Sequence, residues 1–265
     1  MGERATLVVV GGGNMGASLV QGLLAAGHHA EDIAVCEVSG QRRSELQTMF
    51  PEVLISEGVP PCSEAIIAVK PGDVESACRE AVAAGTKRVI SIAAGVRLAT
   101  LQTACGGDTR VIRAMPNTPA TLGLSATAFA IGNGCGASER AWATRLLSAI
   151  GIVIEVDETQ LDAFTGLVGS GPAYVFYIAE ALRDAAIRQG FDASTSSTLV
   201  ARVLVGAAAL LEKDPHAARE LRRNVTSPNG TTAAGISELE ARNVADALIA
   251  AVDAATKRSR ELGRS

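Results

Sequence analysis

Gly11-Gly12-Gly13-Asn14-Met15-Gly16 fits the pattern GxGxxG. It follows the apolar run Leu7-Val8-Val9-Val10 and opens a stretch in which Met15, Leu19, Leu23 and Leu24 recur at helical spacing. A strand, a glycine turn and a helix start in that order suit a pyrophosphate. The glycines let backbone approach the anion, and the first N–H groups of the helix point at it. The rival phosphate loop needs a Lys after its last glycine, and none follows here. At the end of the second strand, where a dinucleotide site meets the adenosine ribose, the chain carries Cys36-Glu37-Val38-Ser39 and then Arg42-Arg43. Glu37 suits free ribose hydroxyls and repels a 2′-phosphate, whereas Ser39 and Arg42 suit the phosphate. Both signals are present, so NAD against NADP stays open.

Three further groups fall at strand ends, where the carboxyl edge of an open sheet forms its ligand crevice. Ala68-Val69-Lys70-Pro71 closes the fourth strand and puts Lys70 at the rim. Ser91-Ile92-Ala93-Ala94-Gly95 ends the next with small residues, against which a nicotinamide ring can lie. Met115-Pro116-Asn117-Thr118-Pro119 makes a rigid turn with an amide and a hydroxyl projecting. Far along the chain, Val225-Thr226-Ser227-Pro228-Asn229-Gly230-Thr231-Thr232-Ala233-Ala234-Gly235 gathers four hydroxyls and an amide directly before a helix. Hydroxyls and free N–H groups at a helix start suit a carboxylate. The three histidines (His28, His29 and His216) lie near turns, outside all these segments. No Ser-His-Asp grouping and no HExxH is present. Hydride transfer to an already protonated imine fits that pattern, because the cofactor brings the reductant and the substrate its own positive charge.

The elements that must position these groups follow two periods. Strands are expected at Leu7–Val10, Ile33–Glu37, Val53–Ile55, Ala65–Val69, Arg88–Ile92, Val111–Ala114, Thr127–Ile131 and Ile152–Val156. Helices such as Val74–Ala84 and Ser138–Ile150 lie between them. That alternation predicts an α/β fold, a doubly wound, mostly parallel sheet over residues 1–157. From 158 to 265 the strand signal stops, and Leu161–Leu167, Pro172–Arg188, Ala193–Leu211 and Ile236–Leu262 read as helices. The stretch Val200–Leu211 is apolar on nearly every face, so a second subunit is expected to cover part of it.

The chain has 265 residues, 48% apolar and 20% charged, ample for a core and unlike a disordered chain. A net charge of −4 without a basic block excludes a phosphate-backbone partner. The longest apolar run, Val203–Leu211, is too short for a bilayer, and no export signal is evident. Five scattered cysteines without a CxxC pair read as reduced thiols in the cytoplasm and do not suggest zinc.

Together, Gly11–Gly16, Ala68–Pro71, Ser91–Val96, Arg113–Pro119, Gly169-Ser170-Gly171-Pro172-Ala173-Tyr174 and Val225–Gly235 closely resemble the Δ1-pyrroline-5-carboxylate reductases, in order along nearly the whole chain. The resemblance implies a Rossmann-type sheet domain at 1–157 and an all-α dimerisation and substrate domain at 158–265. It implies NADPH as reductant, with NADH an alternative, and reduction of 1-pyrroline-5-carboxylate to L-proline, the last step of proline biosynthesis. Gly11, Gly13, Asn14, Met15 and Gly16 match the pyrophosphate turn, and Ser39 lies near the adenosine ribose or its phosphate. Ala68, Val69, Lys70 and Pro71 match the strand-end cofactor segment; Ala93, Ala94 and Asn117 match groups near the nicotinamide; Asn224 matches a further cofactor contact. Asn229, Gly230, Thr231 and Thr232 match the loop that grips the substrate carboxylate, Thr232 the catalytic hydroxyl near the ring nitrogen, and Glu158 an acidic substrate position. Dimers, assembled further into decamers, are the implied quaternary state, with no metal, nucleic acid or membrane. Asn229 stands where the family's loop usually has glycine, Val168 where a serine is common, and Ala218 where many members have proline. Val168 motivates an alternative, a reductase of a related imine or β-hydroxyacid; a non-catalytic cofactor-binding scaffold is a second.

Overall fold

The structure, a computed structural model, describes residues 5–263. Eight strands form one sheet: β1 (Leu7–Val10), β2 (Ile33–Cys36), β3 (Leu54–Ser56), β4 (Glu64–Ile67), β5 (Arg88–Ser91), β6 (Arg110–Met115), β7 (Ser125–Ile131) and β8 (Gly151–Glu155). Their order is β3-β2-β1-β4-β5-β6-β7-β8. All neighbouring pairs are parallel except β6–β7. The first six strands follow the order of a dinucleotide-binding fold, with the direction of winding reversing between β1 and β4. Every residue of β1 and β2 is buried, which is why both read as unbroken apolar runs.

Alternate residues of each strand feed two apolar layers. Leu7 and Val9 join Leu19 and Leu23 of α1 (Asn14–Ala25), Leu46 of α2 (Gly40–Met49) and further residues on one face. Val8 and Val10 join Val74, Ala77 and Cys78 of α3 (Val74–Ala83) and Leu101 of α4 (Leu98–Cys105) on the other. The first layer also takes Trp142 of α5 (Ala137–Leu147), which is 1% exposed. The Arg88 guanidinium lies over that ring, 5.8 Å from its centroid, and the indole N–H finds no acceptor among the described residues.

The chain divides into two compact units, residues up to Ser170 with those from Asp253 onward, and Gly171–Val252. In the first, α6 (Leu161–Phe164) runs into a π-helical turn at Thr165–Gly169 where the spacing predicts a plain helix. The second holds α7 (Gly171–Arg188), α8 (Ala193–Lys213), α9 (Ala218–Asn224), α10 (Thr231–Ala241) and the first half of α11 (Val244–Leu262). Asp192 caps α8, accepting from the N–H groups of Ser194 at 3.0 Å and Thr195 at 2.9 Å. Helix α8 has 21 residues, long and apolar enough to cross a membrane by length and composition alone, although the apolar run read from sequence is shorter. The single helix expected over Ile236–Leu262 is two. The first begins already at Thr231, and the break falls at Asn243, whose φ of 54° is left-handed. Asparagine tolerates that conformation better than most residues. Helix α9 escapes a periodicity reading because ARELRRN offers Leu221 as its one large apolar residue.

Candidate cofactor and substrate sites

The glycine turn sits at the carboxyl end of β1, tied to its neighbours by backbone. Gly11 N–H donates to Cys36 C=O at 2.8 Å, and Ala68 N–H to Val10 C=O at 2.7 Å. Gly11 has φ +103°, and a Cβ there would stand 2.6 Å from the Ala68 carbonyl oxygen. A Cβ on Gly16 would strike the Gly11 carbonyl oxygen. Both glycines are therefore demanded by the fold itself. Gly13 is different: a Cβ there meets no heavy atom within 4 Å. Its carbonyl accepts the first bond of α1, from Ala17 N–H at 2.9 Å, which leaves the N–H groups of Asn14, Met15 and Gly16 without helical acceptors. Open space above three free donors at the N-terminus of a twelve-residue helix is a cradle that fits a pyrophosphate and that a side chain at Gly13 would fill.

Glu37, just past β2, folds back over this turn. One carboxylate oxygen accepts from Gly12 N–H at 2.9 Å and the other from Ser39 N–H at 2.9 Å. Ser39 caps α2, its hydroxyl accepting from Arg42 N–H at 3.3 Å. The two arginines that could serve a phosphate are engaged. Arg42 Nε donates to Gly12 C=O at 2.8 Å and its Nη1 to Glu45 at 2.7 Å. Arg43 donates to the carbonyls of Glu37 and Val38 at 2.8 and 2.9 Å and pairs with Glu57 at 3.1 Å. Buried beneath, the Cys36 thiol is pushed up to about 11, first by desolvation and then by the charges of Glu80 and Glu37.

Farther along the same sheet edge, Ala68, Val69 and Lys70 leave β4 and Pro71 opens a 3₁₀ turn. Lys70 is exposed at the rim, and Ala93 is buried behind Ala94. A cavity of about 480 Å³ adjoins these ends, lined by Pro71, Ala94, Gly95 and Leu262 among others. The chain's last turn thus closes against the β5 loop, a contact that no motif announced.

Asn117 is at this edge too, but its amide faces inward. Its Oδ1 accepts from Ala126 N–H at 3.1 Å and its Nδ2 donates to Val168 C=O at 3.2 Å, while its own N–H donates to Ser125 Oγ at 3.2 Å. It clamps the start of β7 to the π-helical turn. Residue 168 acts here through its backbone, which a valine supplies as well as a serine. Glu158 is likewise engaged within the first unit. Its carboxylate accepts from Leu98 N–H at 2.6 Å, at the start of α4, and from Arg113 Nη1 at 3.2 Å. Arg113 is only 4% exposed, and Asp162, held by the Ser259 hydroxyl at 2.8 Å, lies on its other side.

In the second unit, Asn224 ends α9 and is exposed. The chain then turns through Thr226, whose N–H reaches Arg223 C=O at 3.0 Å, and Gly230, whose N–H reaches Ser227 C=O at 3.0 Å. Asn229 takes φ 57°, the left-handed value that glycine would ordinarily supply, so the departure from the loop pattern is absorbed by the backbone. Gly230 caps α10, and a Cβ on it would meet Ser227 Oγ. Ala234 N–H to Gly230 C=O, at 3.2 Å, is the first helical bond, so Thr231, Thr232 and Ala233 present free N–H groups. The Thr231 and Thr232 side chains are exposed, and neither hydroxyl has a hydrogen-bond partner among the described residues.

Known proteins share both halves. Residues 158–262 match the family model for pyrroline-5-carboxylate reductase dimerisation, and residues 6–95 match the coenzyme F420-dependent NADP oxidoreductase model. A pyrroline-5-carboxylate reductase of Synechocystis is 39% identical, covering 97% of this chain and 98% of its own. The solved structure of a pyrroline-5-carboxylate reductase from Coxiella burnetii superposes with a TM-score of 0.89 at 32% identity, covering 99% of this chain and all of that one. The Plasmodium falciparum pyrroline carboxylate reductase, solved with NADP bound, does so at 0.86 and 25% identity, covering 98% of this chain and 99% of its own. With a dinucleotide turn at the head of the sheet, a hydroxyl-bearing helix start in the helical part and full-length likeness to these enzymes, the chain belongs to the pyrroline-5-carboxylate reductase family.

Proposed function

We propose that the protein reduces 1-pyrroline-5-carboxylate to L-proline, the last step of proline biosynthesis, with NAD(P)H. Bound NAD(P)H supplies the hydride. Hydride adds to the iminium carbon, the C=N pair moves onto nitrogen, and a neutral secondary amine results, so no side chain has to form or break a covalent bond. The division of labour puts the cofactor on residues 1–157 and the substrate and subunit contacts on 158–265. Gly11, Gly13, Asn14, Met15 and Gly16 hold the pyrophosphate, and Ser39 lies by the ribose. Ala68, Val69, Lys70, Pro71, Ala93 and Ala94 line the cofactor along the β4 and β5 ends, with Asn224 a further contact. Asn117, its amide engaged, shapes the nicotinamide end by holding the π-helical turn. Glu158 serves the site in the same indirect way, by fixing the start of α4 and the buried Arg113.

The observation that carries the reading is the start of α10. Three free N–H groups and two hydroxyls without a partner among the described residues stand there in successive residues. The loop Asn229-Gly230-Thr231 grips the substrate carboxylate by presenting to it the free N–H groups of Thr231, Thr232 and Ala233, an arrangement the helix dipole favours. Thr232 aims its hydroxyl at the ring nitrogen as positive charge leaves it. Exposed Phe176, Val203 and Val205 on α7 and α8 suit subunit contact in a dimer, and we infer further assembly to a decamer in the cytoplasm. The test follows cofactor oxidation with racemic pyrroline-5-carboxylate and then with other cyclic imines. Turnover with the first supports the reading; turnover with the others alone favours a related imine reductase; cofactor binding without turnover indicates a scaffold.

A further inference from the structure

We propose that Glu37 sets the crevice for NADH over NADPH. This rests on the nicotinamide-dinucleotide reading of the glycine turn and adds the choice that the sequence leaves open. The residue just past the carboxyl end of the second strand is the one that meets the adenosine ribose when the pyrophosphate lies on the glycine turn. Here that residue is a carboxylate locked in place. Its two oxygens accept from Gly12 N–H and Ser39 N–H, each at 2.9 Å, which fixes the carboxylate between the glycine turn and the start of α2. A carboxylate only accepts hydrogen bonds, and each oxygen keeps a lone pair beyond the bond it already makes. Two ribose hydroxyls are donors and complete the set. A 2′-phosphate is mostly doubly ionised at neutral pH, replaces a hydroxyl donor with about −1.5 to −2 charge, and meets like charge.

The arginines do not reverse this. Arg42 is held by Gly12 C=O and by Glu45 at 2.7 Å, and Arg43 by two carbonyls and by Glu57 at 3.1 Å. Recruiting either for a phosphate breaks contacts that already fix it. Around the ribose, Glu37, Glu45 and Glu57 stand against Arg42 and Arg43, leaving one negative charge in excess. The partial positive charge at the start of α2 is already drawn on by the Ser39 cap. A site built for the phosphate would show the opposite arrangement, with free guanidinium groups and no carboxylate on the turn.

Calorimetric titration of the full chain decides the matter without turnover. The ligands are NADH and NADPH, together with ADP and 2′,5′-ADP, which carry the adenosine end alone. NADH and ADP should each bind at least tenfold tighter than their phosphorylated counterparts, and the ratio should shrink in high salt, since it arises from charge. Glu37→Gln, which keeps an acceptor oxygen and loses the charge, should cut both ratios by at least tenfold, and Glu37→Ser should do the same. Equal or tighter binding of NADPH by the parent protein overturns the proposal, as does a ratio that both variants leave unmoved. If neither dinucleotide binds while the protein is folded, the dinucleotide reading itself falls, and this inference with it.

Discussion

Gly13→Val separates what the fold needs from what the cofactor needs. At Gly13 the backbone has φ −62° and ψ −172°, open to any residue, and a Cβ meets nothing within 4 Å. The cost to the protein is confined to the helix cap, where glycine is better than valine by about 1 kcal/mol. In a protein of this size that lowers Tm by roughly 2–4 °C. The cost to the ligand is far larger. The isopropyl group enters the space above the free N–H groups of Asn14, Met15 and Gly16 and holds the pyrophosphate off them. Hydrogen bonds to a charged group contribute about 1.5–3 kcal/mol each. Losing two weakens cofactor binding by about 3–6 kcal/mol, or roughly 10²–10⁴-fold in Kd. Isothermal titration with NADH gives Kd, and differential scanning calorimetry gives Tm on the same sample. A folded variant that binds within twofold of the parent would refute the cradle. A variant that cannot fold would refute the claim that the space is open.

Gly16→Ala should behave in the opposite way, failing to fold or losing several kcal/mol in urea melts, because its Cβ strikes the Gly11 carbonyl. Thr232→Ala should lower kcat as well as raise KM, by roughly 10–1,000-fold in kcat/KM, or about 1.4–4 kcal/mol. Thr232→Ser should keep most of the activity; a raised KM alone in Thr232→Ala would make this a binding hydroxyl only. Asn117→Leu strands the Ala126 N–H and the Val168 carbonyl and should cost roughly 2–5 kcal/mol by chemical denaturation. Glu158→Gln keeps an acceptor for Leu98 N–H but gives up the charge beside Arg113; it should lower Tm while KM for the imine stays within about threefold, the split expected of a positioning residue.

The sheet was the most legible part because buried parallel strands leave unbroken apolar runs. All eight expected strands are present, and β1 begins and ends on the residues its composition marks. The helical half was less so. Thr231 to Gly235 looks like loop, since hydroxyls and glycine are poor helix formers, yet α10 begins there because Gly230 supplies the cap geometry. Asn243 broke a helix whose apolar periodicity runs on past it, a backbone event that composition does not encode. In the site, the glycine turn was plain from its spacing. Asn117 and Glu158 were visible as unusual residues, but the direction each side chain takes depends on partners 51 and 60 positions away, Val168 and Leu98. The π-helical turn that the Asn117 amide holds leaves no local signal at all.

The scarcity of aromatic residues gives this protein a built-in pair of optical reporters. Its one tryptophan, Trp142, is buried in the first unit, and both its tyrosines, Tyr174 and Tyr177, belong to α7 in the second. Indole emission therefore follows melting of the sheet layer alone, and it should shift to longer wavelength when that core opens to water. Second-derivative absorbance, in which the phenol bands are resolved from the indole, follows the helical unit, chiefly through Tyr174, because Tyr177 is already exposed. Denaturant curves read at the two signals need no engineered label to show whether the units unfold in one transition or two. A ligand that grips only the glycine turn should move the indole curve to higher denaturant, and it moves the tyrosine curve equally only if the two units unfold together.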